Sequence, residues 1–321
     1  RYREIIELLL EKGVTPNVTL HHFTSPRWFM EKGGFLKEEN LKYWEEYVDK
    51  AAELLKGVKL VATFNEPMEM IIEGYLTGNW PPFLRNAEKA FTAEANILNA
   101  HRIAYEVLSG EFKVGVVKSS PLIRPISPEF REVAGEVDNL QNWYFLNAIF
   151  SGELVTPFGT VRTGESDADF IGVNYYTLHL IGDVSPVEGL YRYEFGGYGR
   201  TQMGWKIYPE GIYEVLKRAS GYGRPLYVTE NGIATLNDSE RVDFIARHLH
   251  QVWRAIEDGV DVRGYFYWSL MDNYEWDKGF EPRFGLIEMD FETFERRPRK
   301  SAYFYGEIAR EKKVGLAPPG K

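Results

Sequence analysis

The chain of 321 residues contains no cysteine. This excludes disulfide bonds, thiolate metal sites and a cysteine nucleophile. No apolar run reaches the roughly 18–20 residues that a membrane-spanning helix needs. Positive charge is scarce as well, because 38 Lys and Arg are outnumbered by 47 Asp and Glu and the net charge is −9. Nucleic acids and anionic membrane surfaces are bound through clustered basic side chains, so neither is an expected partner.

Apolar and aromatic side chains are plentiful, at 44% and 15% of the residues. A chain of this length can bury a large core, and we expect a soluble globular protein of one domain, or at most two. We expect a cytoplasmic location, with which the lack of cysteine is compatible. Only three Gln beside many Glu, Lys and Arg weakly favour a thermophilic source.

Apolar strands and amphipathic helices alternate along the chain. The predicted strands are 15–23, 59–66, 113–118, 169–176, 225–230 and 262–268. The predicted helices are 1–12, 38–56, 88–109, 133–150, 209–221, 239–258 and 298–312. Six strands, each followed by a helix, predict an α/β fold, either a (β/α) barrel or an open parallel sheet. The long segments 151–167 and 178–205 are expected to be substrate-facing loops.

One predicted strand ends abruptly on two polar residues, Asn65 and Glu66. Its residues 60–64 are apolar or β-prone without alternation, which is typical of a strand buried on both faces. Pro67 ends the strand and favours an extended conformation for Glu66. Active sites form at this C-terminal edge in parallel α/β folds. A carboxylate that caps the next helix is the alternative.

A second strand has the same ending, because residues 225–229 lead into Glu230 and an Asn231-Gly232 turn. Glu66 and Glu230 lie 164 positions apart (230 − 66), so only the fold can bring them together. Glycoside hydrolysis requires a pair of carboxyl groups, one as proton donor and the other as nucleophile or base.

Aromatic and acidic residues follow the last predicted strand, which ends at Trp268, with Glu275 and Trp276 on the loop after it. Aromatic faces stack on sugars and carboxylates bind hydroxyl groups, so the loop suits a carbohydrate subsite. A packed aromatic cluster is the alternative. At the end of the first strand stand His21 and His22. Adjacent strand residues face opposite ways, so at most one histidine faces a site, and a structural imidazole is the alternative for either.

Five segments together resemble the family 1 glycoside hydrolases, most closely the β-glucosidase and β-mannosidase type of hyperthermophilic archaea. They are, in chain order, His21–Pro26, Thr63–Pro67, Asn174–Tyr176, Val228–Gly232 and Trp268–Trp276. The resemblance implies a (β/α)8 TIM barrel, of which six strand–helix units are visible here. It implies hydrolysis of terminal β-linked neutral sugars (glucoside, galactoside or mannoside) with retention. Small β-glycosides or oligosaccharides are the expected substrates, and no metal or organic cofactor is expected.

The same resemblance implies roles for individual residues. Glu66 is the expected general acid/base and Glu230 the expected nucleophile. Asn65 is expected to bind the hydroxyl next to the reacting carbon, and Tyr176 to contact the nucleophile. The other expected substrate-binding residues are His22, Asn174, Trp205, Trp268, Glu275, Trp276 and Phe284. A retaining mechanism also implies carboxyl groups about 5–5.5 Å apart, a raised pKa for Glu66 and an ionised Glu230.

The resemblance further implies that two barrel strands, a sugar-binding Gln and an Arg beside the nucleophile precede Arg1. We therefore expect residues 1–321 to be a single catalytic barrel domain that is N-terminally incomplete, within a longer polypeptide. Without those strands, the strands 15–23 and 262–268 would have bare edges. The alternative function is that of a catalytically impaired, sugar-binding remnant.

Overall fold

The structure is a computed structural model that describes residues 1–164, 166–182, 193–194 and 201–313. These residues form two compact units. The first consists of Arg1–Ser119 and Asp138–Gly172, and the second of Ser120–Val137 and Val173–Lys321, as far as the latter is described. Of the expected loop 178–205, residues 183–192 and 195–200 lie outside the described residues.

Strands and helices alternate as the sequence predicts. The α-helices are α1 (Tyr2–Glu11), α2 (Arg27–Glu31), α3 (Leu41–Leu54), α4 (Pro67–Ile71), α5 (Ala87–Leu108), α6 (Arg131–Asp138), α7 (Tyr144–Ser151), α8 (Glu210–Ala219), α9 (Asp238–Glu257) and α10 (Lys300–Glu311). The strands are β1 (Asn17–His21), β2 (Leu60–Asn65), β3 (Lys113–Ser119), β4 (Leu122–Pro125), β5 (Glu153–Thr156), β6 (Gly159–Arg162), β7 (Phe170–Asn174), β8 (Leu178–Ile181), β9 (Tyr193–Glu194), β10 (Leu226–Asn231), β11 (Val262–Tyr267), β12 (Ile287–Met289) and β13 (Arg296–Pro298).

The first unit is built on parallel strands in the order β1-β2-β3, followed by the start of β7. Val61 of β2 lies in register with Val18 of β1 and Val114 of β3. All residues of β2 from Val61 to Asn65 are buried, which is the pattern of a strand covered on both faces. Helix α3 packs its indole Trp44 on the ring of Phe64, with the ring centroids 4.7 Å apart.

The second unit contains the end of β7, then β10 and β11 in the same parallel sheet order. Val228 of β10 lies in register with Tyr265 of β11. Helix α9 covers them with a buried face that includes Phe244, Ile245 and His248. Over the described residues, the six predicted strands are therefore found and are parallel, which confirms an α/β fold.

Three expectations about secondary structure need correction. The expected loop 178–205 begins with strand β8, which pairs in parallel with β4. Segment 151–167 is not a plain loop, because β5 and β6 in it form an antiparallel hairpin with Leu154 opposite Val161. A two-residue turn, Pro157-Phe158, joins the strands, and Gly159 after it has φ 126°, a conformation that favours glycine. The predicted helix 133–150 is α6 and α7 separated by a π-helical turn, Asn139–Trp143. Asp138 accepts hydrogen bonds from both Asn142 and Trp143 (2.7 and 3.1 Å) and so ties that turn together.

Candidate active site

Glu66 stands in the turn between β2 and α4 with φ 45° and ψ 57°, a left-handed conformation. The sequence predicted an extended residue here, and the backbone hydrogen bonds explain the difference. Its N–H donates to Val117 O (2.9 Å) on the neighbouring strand, while its C=O accepts the N–H of Glu69 (3.0 Å) in the first helical turn. Both bonds together require the chain to turn within one residue. Such strain in a non-glycine residue costs about 1–3 kcal/mol and clusters at functional sites.

His22 and Asn65 lie side by side at the ends of β1 and β2, with Asn65 Nδ2 3.2 Å from His22 Nε2. Burial lowers the pKa of His22 to about 4, so the imidazole is neutral at pH 7 and accepts the amide N–H. His21 instead lies in the core, where its ring contacts Phe35 and Phe64. As predicted, the two adjacent histidines face different environments, and His21 is the structural one.

Glu230 lies near the end of β10, and its carboxylate Oε2 accepts a short hydrogen bond of 2.6 Å from the hydroxyl of Tyr176. Burial raises the pKa of Glu230 to about 7. The nearby charge of Glu275 raises it further, while hydrogen bonds from Tyr176 and Asn174 lower it. Burial thus opposes the ionised state that we expected for Glu230, whereas the two hydrogen bonds favour it.

Three aromatic rings form a wall beside Glu230. The ring centroid of Tyr176 lies 5.0 Å from that of Trp205 and 6.2 Å from that of Phe284. Trp205 and Phe284 are 6.1 Å apart. Phe284 is buried, so it supports the wall from behind. Three residues from distant parts of the sequence therefore form one aromatic cluster, which reaches Glu230 through the Tyr176 hydroxyl, and aromatic faces suit the C–H surface of a sugar.

Trp268 follows β11 at a close approach of two backbones. A Cβ on Gly232 would lie 1.9 Å from Trp268 O, so only glycine fits after Asn231. The N–H of Trp268 donates to Asn231 O (3.0 Å), which fixes the distance between the two strand ends. The side chain of Trp268 also hydrogen-bonds to Glu275 and lowers its pKa, but burial outweighs this bond and the pKa is raised.

Glu275 and Trp276 lie in the loop after β11, and both side chains are half-buried. Among the described residues, Glu275 Oε2 is a buried oxygen without a hydrogen-bond partner. Such an acceptor is costly to bury unless a donor reaches it. A sugar hydroxyl supplies such a donor.

Asp272, which the sequence reasoning did not single out, ties together the loop after β11. Its fully buried carboxylate accepts hydrogen bonds from the guanidinium nitrogens of Arg299 (3.1 and 2.9 Å) and from Gly285 N (2.8 Å). A weaker contact comes from Met289 N at 3.3 Å. These bonds join the two ends of the loop that presents Glu275, Trp276 and Phe284. Only the position of Asp272 inside an aromatic motif hinted at this role.

The expected site residues fall into two groups, one in each unit. The first unit contains His22, Asn65 and Glu66. The second unit contains Asn174, Tyr176, Trp205, Glu230, Trp268, Glu275, Trp276 and Phe284. Asn174 is fixed by Thr229, whose hydroxyl donates to its Oδ1 (2.6 Å). Every member lies in the last residues of a parallel strand or on the segment after one, which is where such folds place their sites.

Comparisons with known proteins bear on both groups. The family model for glycosyl hydrolase family 1 matches residues 1–314. The chain belongs to glycosyl hydrolase family 1. It is 62% identical to a β-glycosidase from Pyrococcus horikoshii of known structure, with a TM-score of 0.95 over 98% of this chain and 76% of that one. It is 34% identical to β-glucosidase A of Thermotoga maritima over 96% of this chain and 76% of that protein. A 6-phospho-β-galactosidase of Staphylococcus aureus is 31% identical over 98% of this chain and 80% of its own length.

Family membership confirms the predicted fold class and reaction class. The protein has an α/β fold of the TIM-barrel type, and it is a retaining β-glycosidase. Thermophilic relatives agree with the weak compositional signal in the few glutamines. In the part of the chain that the structure describes, every helix is too short or too polar to cross a lipid bilayer.

Proposed function

We propose that the protein hydrolyses terminal β-linked neutral sugars, with Glu230 as nucleophile and Glu66 as general acid/base. Glu230 attacks the anomeric carbon and forms a glycosyl ester while the Glu66 carboxyl gives its proton to the leaving oxygen. The Glu66 carboxylate then removes a proton from water, which attacks the anomeric carbon and releases both the sugar and Glu230.

The observation that best supports this proposal is the environment of Glu230. Its carboxyl group accepts a hydrogen bond of 2.6 Å from the hydroxyl of Tyr176, whose ring packs with those of Trp205 and Phe284. Hydrogen bonds from Tyr176 and Asn174 both favour the ionised carboxylate, which is the form that attacks the anomeric carbon.

A neutral sugar is favoured over a phosphorylated one by the loop after β11. Glu275 offers an acidic carboxyl group with a partnerless buried oxygen, next to Trp268 and Trp276. A carboxylate attracts the hydroxyl groups of a sugar and repels a phosphate group. We propose that His22, Asn65 and Asn174 bind further hydroxyl groups. The Staphylococcus relative is named for a phosphorylated sugar, so this loop is the place where we expect the two proteins to differ.

Three further points are part of the proposal. The reaction needs no metal or organic cofactor, since both steps use only the two carboxyl groups and water. Residues of both units belong to one catalytic domain, which is supported by one family model that spans them. The protein acts in the cytoplasm on small β-glycosides or oligosaccharides.

Hydrolysis of p-nitrophenyl β-glucoside, β-galactoside and β-mannoside tests the function. We expect turnover of at least one substrate, and a loss of about a thousandfold or more in kcat for Glu230→Ala. Glu257→Ala, at the exposed end of α9, is the matched control and should behave like the wild type. Saturable binding of sugar without turnover would instead support the sugar-binding remnant.

The dependence of the rate on the leaving group distinguishes the role of Glu66 from that of Glu230. A 2,4-dinitrophenol leaving group needs no proton, whereas phenol does. Glu66→Gln should therefore slow hydrolysis of a phenyl β-glycoside far more than that of a 2,4-dinitrophenyl β-glycoside, in the range of about 10²–10⁴ for general acid catalysis. Equal losses with both substrates would show that Glu66 is not the proton donor.

A further inference from the structure

A buried charged cluster lies directly behind Glu66, and the mechanism proposed above makes no use of it. Lys118, near the end of β3, and Glu94, on α5, are both fully buried. Lysine and glutamate are almost never fully buried unless they are paired. Their positions therefore need a reason beyond packing.

The sheet places Lys118 next to Glu66. Asn65 on β2 is in register with Val117 on β3, and Glu66 N–H donates to Val117 O (2.9 Å). Glu66 and Lys118, which follow Asn65 and Val117, are therefore neighbours at the ends of these two strands. The Lys118 ammonium donates to the carbonyl oxygen of Gln141 (3.1 Å) in the π-helical turn and lies 6.0 Å from the ring of Phe145.

Charged groups face this ammonium from two elements. Glu66 and Glu69 approach from the start of α4 and Glu94 from α5, and each attracts the ammonium. Glu69 Oε1 also accepts from the side chain of Gln141 (3.3 Å). The hydroxyl of Tyr144 at the start of α7 faces Glu94. Among the described residues, Lys118 is the cation that these carboxyl groups share.

Glu94 does not neutralise Lys118 at neutral pH. Both of its carboxyl oxygens are buried and lack a hydrogen-bond partner among the described residues, and burial raises its pKa to about 8. Burial lowers the pKa of Lys118 to about 8, with Glu69, Glu66 and Glu94 opposing the change. Burial therefore favours the protonated form of Glu94, while the neighbouring carboxyl groups favour the charged form of Lys118. The positive charge is left to act on Glu66 and Glu69.

We propose that Lys118 is a positioning residue for proton transfer, whose buried ammonium stabilises the ionised form of Glu66. The proposal rests on Glu66 as the general acid/base. In the first step, the O–H bond of Glu66 breaks and its proton goes to the leaving oxygen, so a carboxylate remains. In the second step, that carboxylate takes a proton from water. The ammonium stabilises the carboxylate that exists between these steps, because the low-dielectric interior screens the attraction weakly.

The test is the pH dependence of kcat/KM for a phenyl β-glycoside in the Lys118→Met variant. The alkaline limb reports the deprotonation of the acid, in a coupled cluster. Loss of an adjacent positive charge should move that limb upward by about one pH unit or more. Lys113→Met is the matched control, since Lys113 stands on the same strand but is exposed and pairs with Asp169. The alkaline limb of kcat/KM for Lys113→Met should not shift.

A second variant, Glu69→Gln, should shift the alkaline limb of kcat/KM in the opposite direction. Glu69→Gln removes an anion that competes for the same ammonium, so the alkaline limb should move downward. A change in packing alone would not move the two limbs in opposite directions. This variant decides the matter if Lys118→Met does not fold, which hydrolysis of the 2,4-dinitrophenyl β-glycoside would reveal. An unmoved limb in folded Lys118→Met, or an upward shift in Glu69→Gln, would overturn the proposal.

The two proposals fail in different ways. If Glu66 is not the general acid/base, Glu66→Gln shows no dependence on the leaving group, whatever Lys118→Met does. If only the role of Lys118 is wrong, Glu66→Gln keeps its dependence on the leaving group while the limb of Lys118→Met matches that of the wild type.

Discussion

Two buried carboxyl groups, one in each unit, differ in their hydrogen bonding. Asp272 in the second unit has two guanidinium donors from Arg299 and a backbone donor within 3.1 Å. Glu94 in the first unit is equally buried, and both of its oxygens lack a hydrogen-bond partner among the described residues. Removing a charge from water is costly unless hydrogen bonds and an opposite charge replace the water. The fully bonded carboxylate fixes a loop, whereas the unbonded one is free to change its protonation.

The largest expected effect comes from removing the hydrogen-bonded carboxylate, that of Asp272. Asp272→Ala leaves the mostly buried Arg299 without its partner, which costs about 3–5 kcal/mol in the free energy of unfolding. Denaturant unfolding measures the loss. Asp261→Ala removes an exposed partner of Arg263 and is the control, with an expected change of about 0–1 kcal/mol. Similar losses in both variants would show that the buried network is no stronger than a surface pair.

The same variant should impair sugar binding, since Asp272 joins the ends of the loop that presents Glu275 and Trp276. In protein that remains folded at low temperature, we expect a rise in KM of about tenfold or more, equivalent to about 1.4 kcal/mol of lost binding. Steady-state kinetics with a p-nitrophenyl glycoside measure this. An unchanged KM would mean that the loop holds its shape without Asp272.

The carboxyl group of Glu94, which lacks hydrogen-bond partners among the described residues, predicts that the free energy of unfolding depends on pH. Burial raises the pKa of Glu94 from 4.5 to about 8, so between these values the folded state binds more protons than the unfolded state. Stability contributed by the protonated carboxyl is present below pH 4.5 and is lost as the pH rises through 8. Glu94→Gln should remove this loss and be more stable than the wild type at pH 8, by more than about 1 kcal/mol.

Denaturant unfolding at pH 5 and pH 8 checks the Glu94 prediction. The advantage of Glu94→Gln should be small at pH 5 and larger at pH 8. Glu88→Gln, on the exposed first turn of the same helix, should show nearly the same small difference at both values. A Glu94→Gln variant that is less stable at pH 8 would show that the buried carboxyl is ionised and paired.

The smallest expected effect concerns the hydroxyl of Tyr176. Its hydrogen bond lowers the pKa of Glu230, against the burial that raises it. Tyr176→Phe should therefore raise that pKa and move the acidic limb of kcat/KM upward by up to about one unit. Tyr213→Phe removes an exposed hydroxyl that also donates to a carboxylate, that of Asp258, and should leave the limb unchanged. An unmoved limb in Tyr176→Phe would mean that the hydrogen bond does not control the ionisation of Glu230.

Sequence reasoning succeeded where the signal was local. Uninterrupted apolar runs such as 60–64 predicted the parallel strands, because a strand covered on both faces has no polar alternation. The polar residues that end those runs were the basis for naming Asn65, Glu66 and Glu230 as site candidates, and their roles stay predictions. The opposite environments of His21 and His22 followed from the two-residue period of a strand.

Sequence reasoning failed where an arrangement depends on residues far apart in the chain. The left-handed conformation of Glu66 results from a bond to Val117, which no pattern around Pro67 reveals. The partnership of Asp272 with Arg299 spans 27 positions, and that of Lys118 with Gln141 spans 23. A buried lysine in a β-strand looks like any exposed one until the neighbouring elements are known. The raised pKa of Glu230 likewise depends on burial that only the fold determines.

The most direct test of the account is to trap the glycosyl–enzyme intermediate with a 2-deoxy-2-fluoro-β-glycosyl fluoride, which forms the ester quickly and hydrolyses it slowly. Peptic digestion and mass spectrometry then locate the attached sugar. The account predicts a single adduct on the peptide that contains Glu230, with the Glu66 peptide unmodified and activity lost in proportion to labelling. An adduct on any other residue, or full activity without an adduct, would contradict the assignment of Glu230 as the nucleophile.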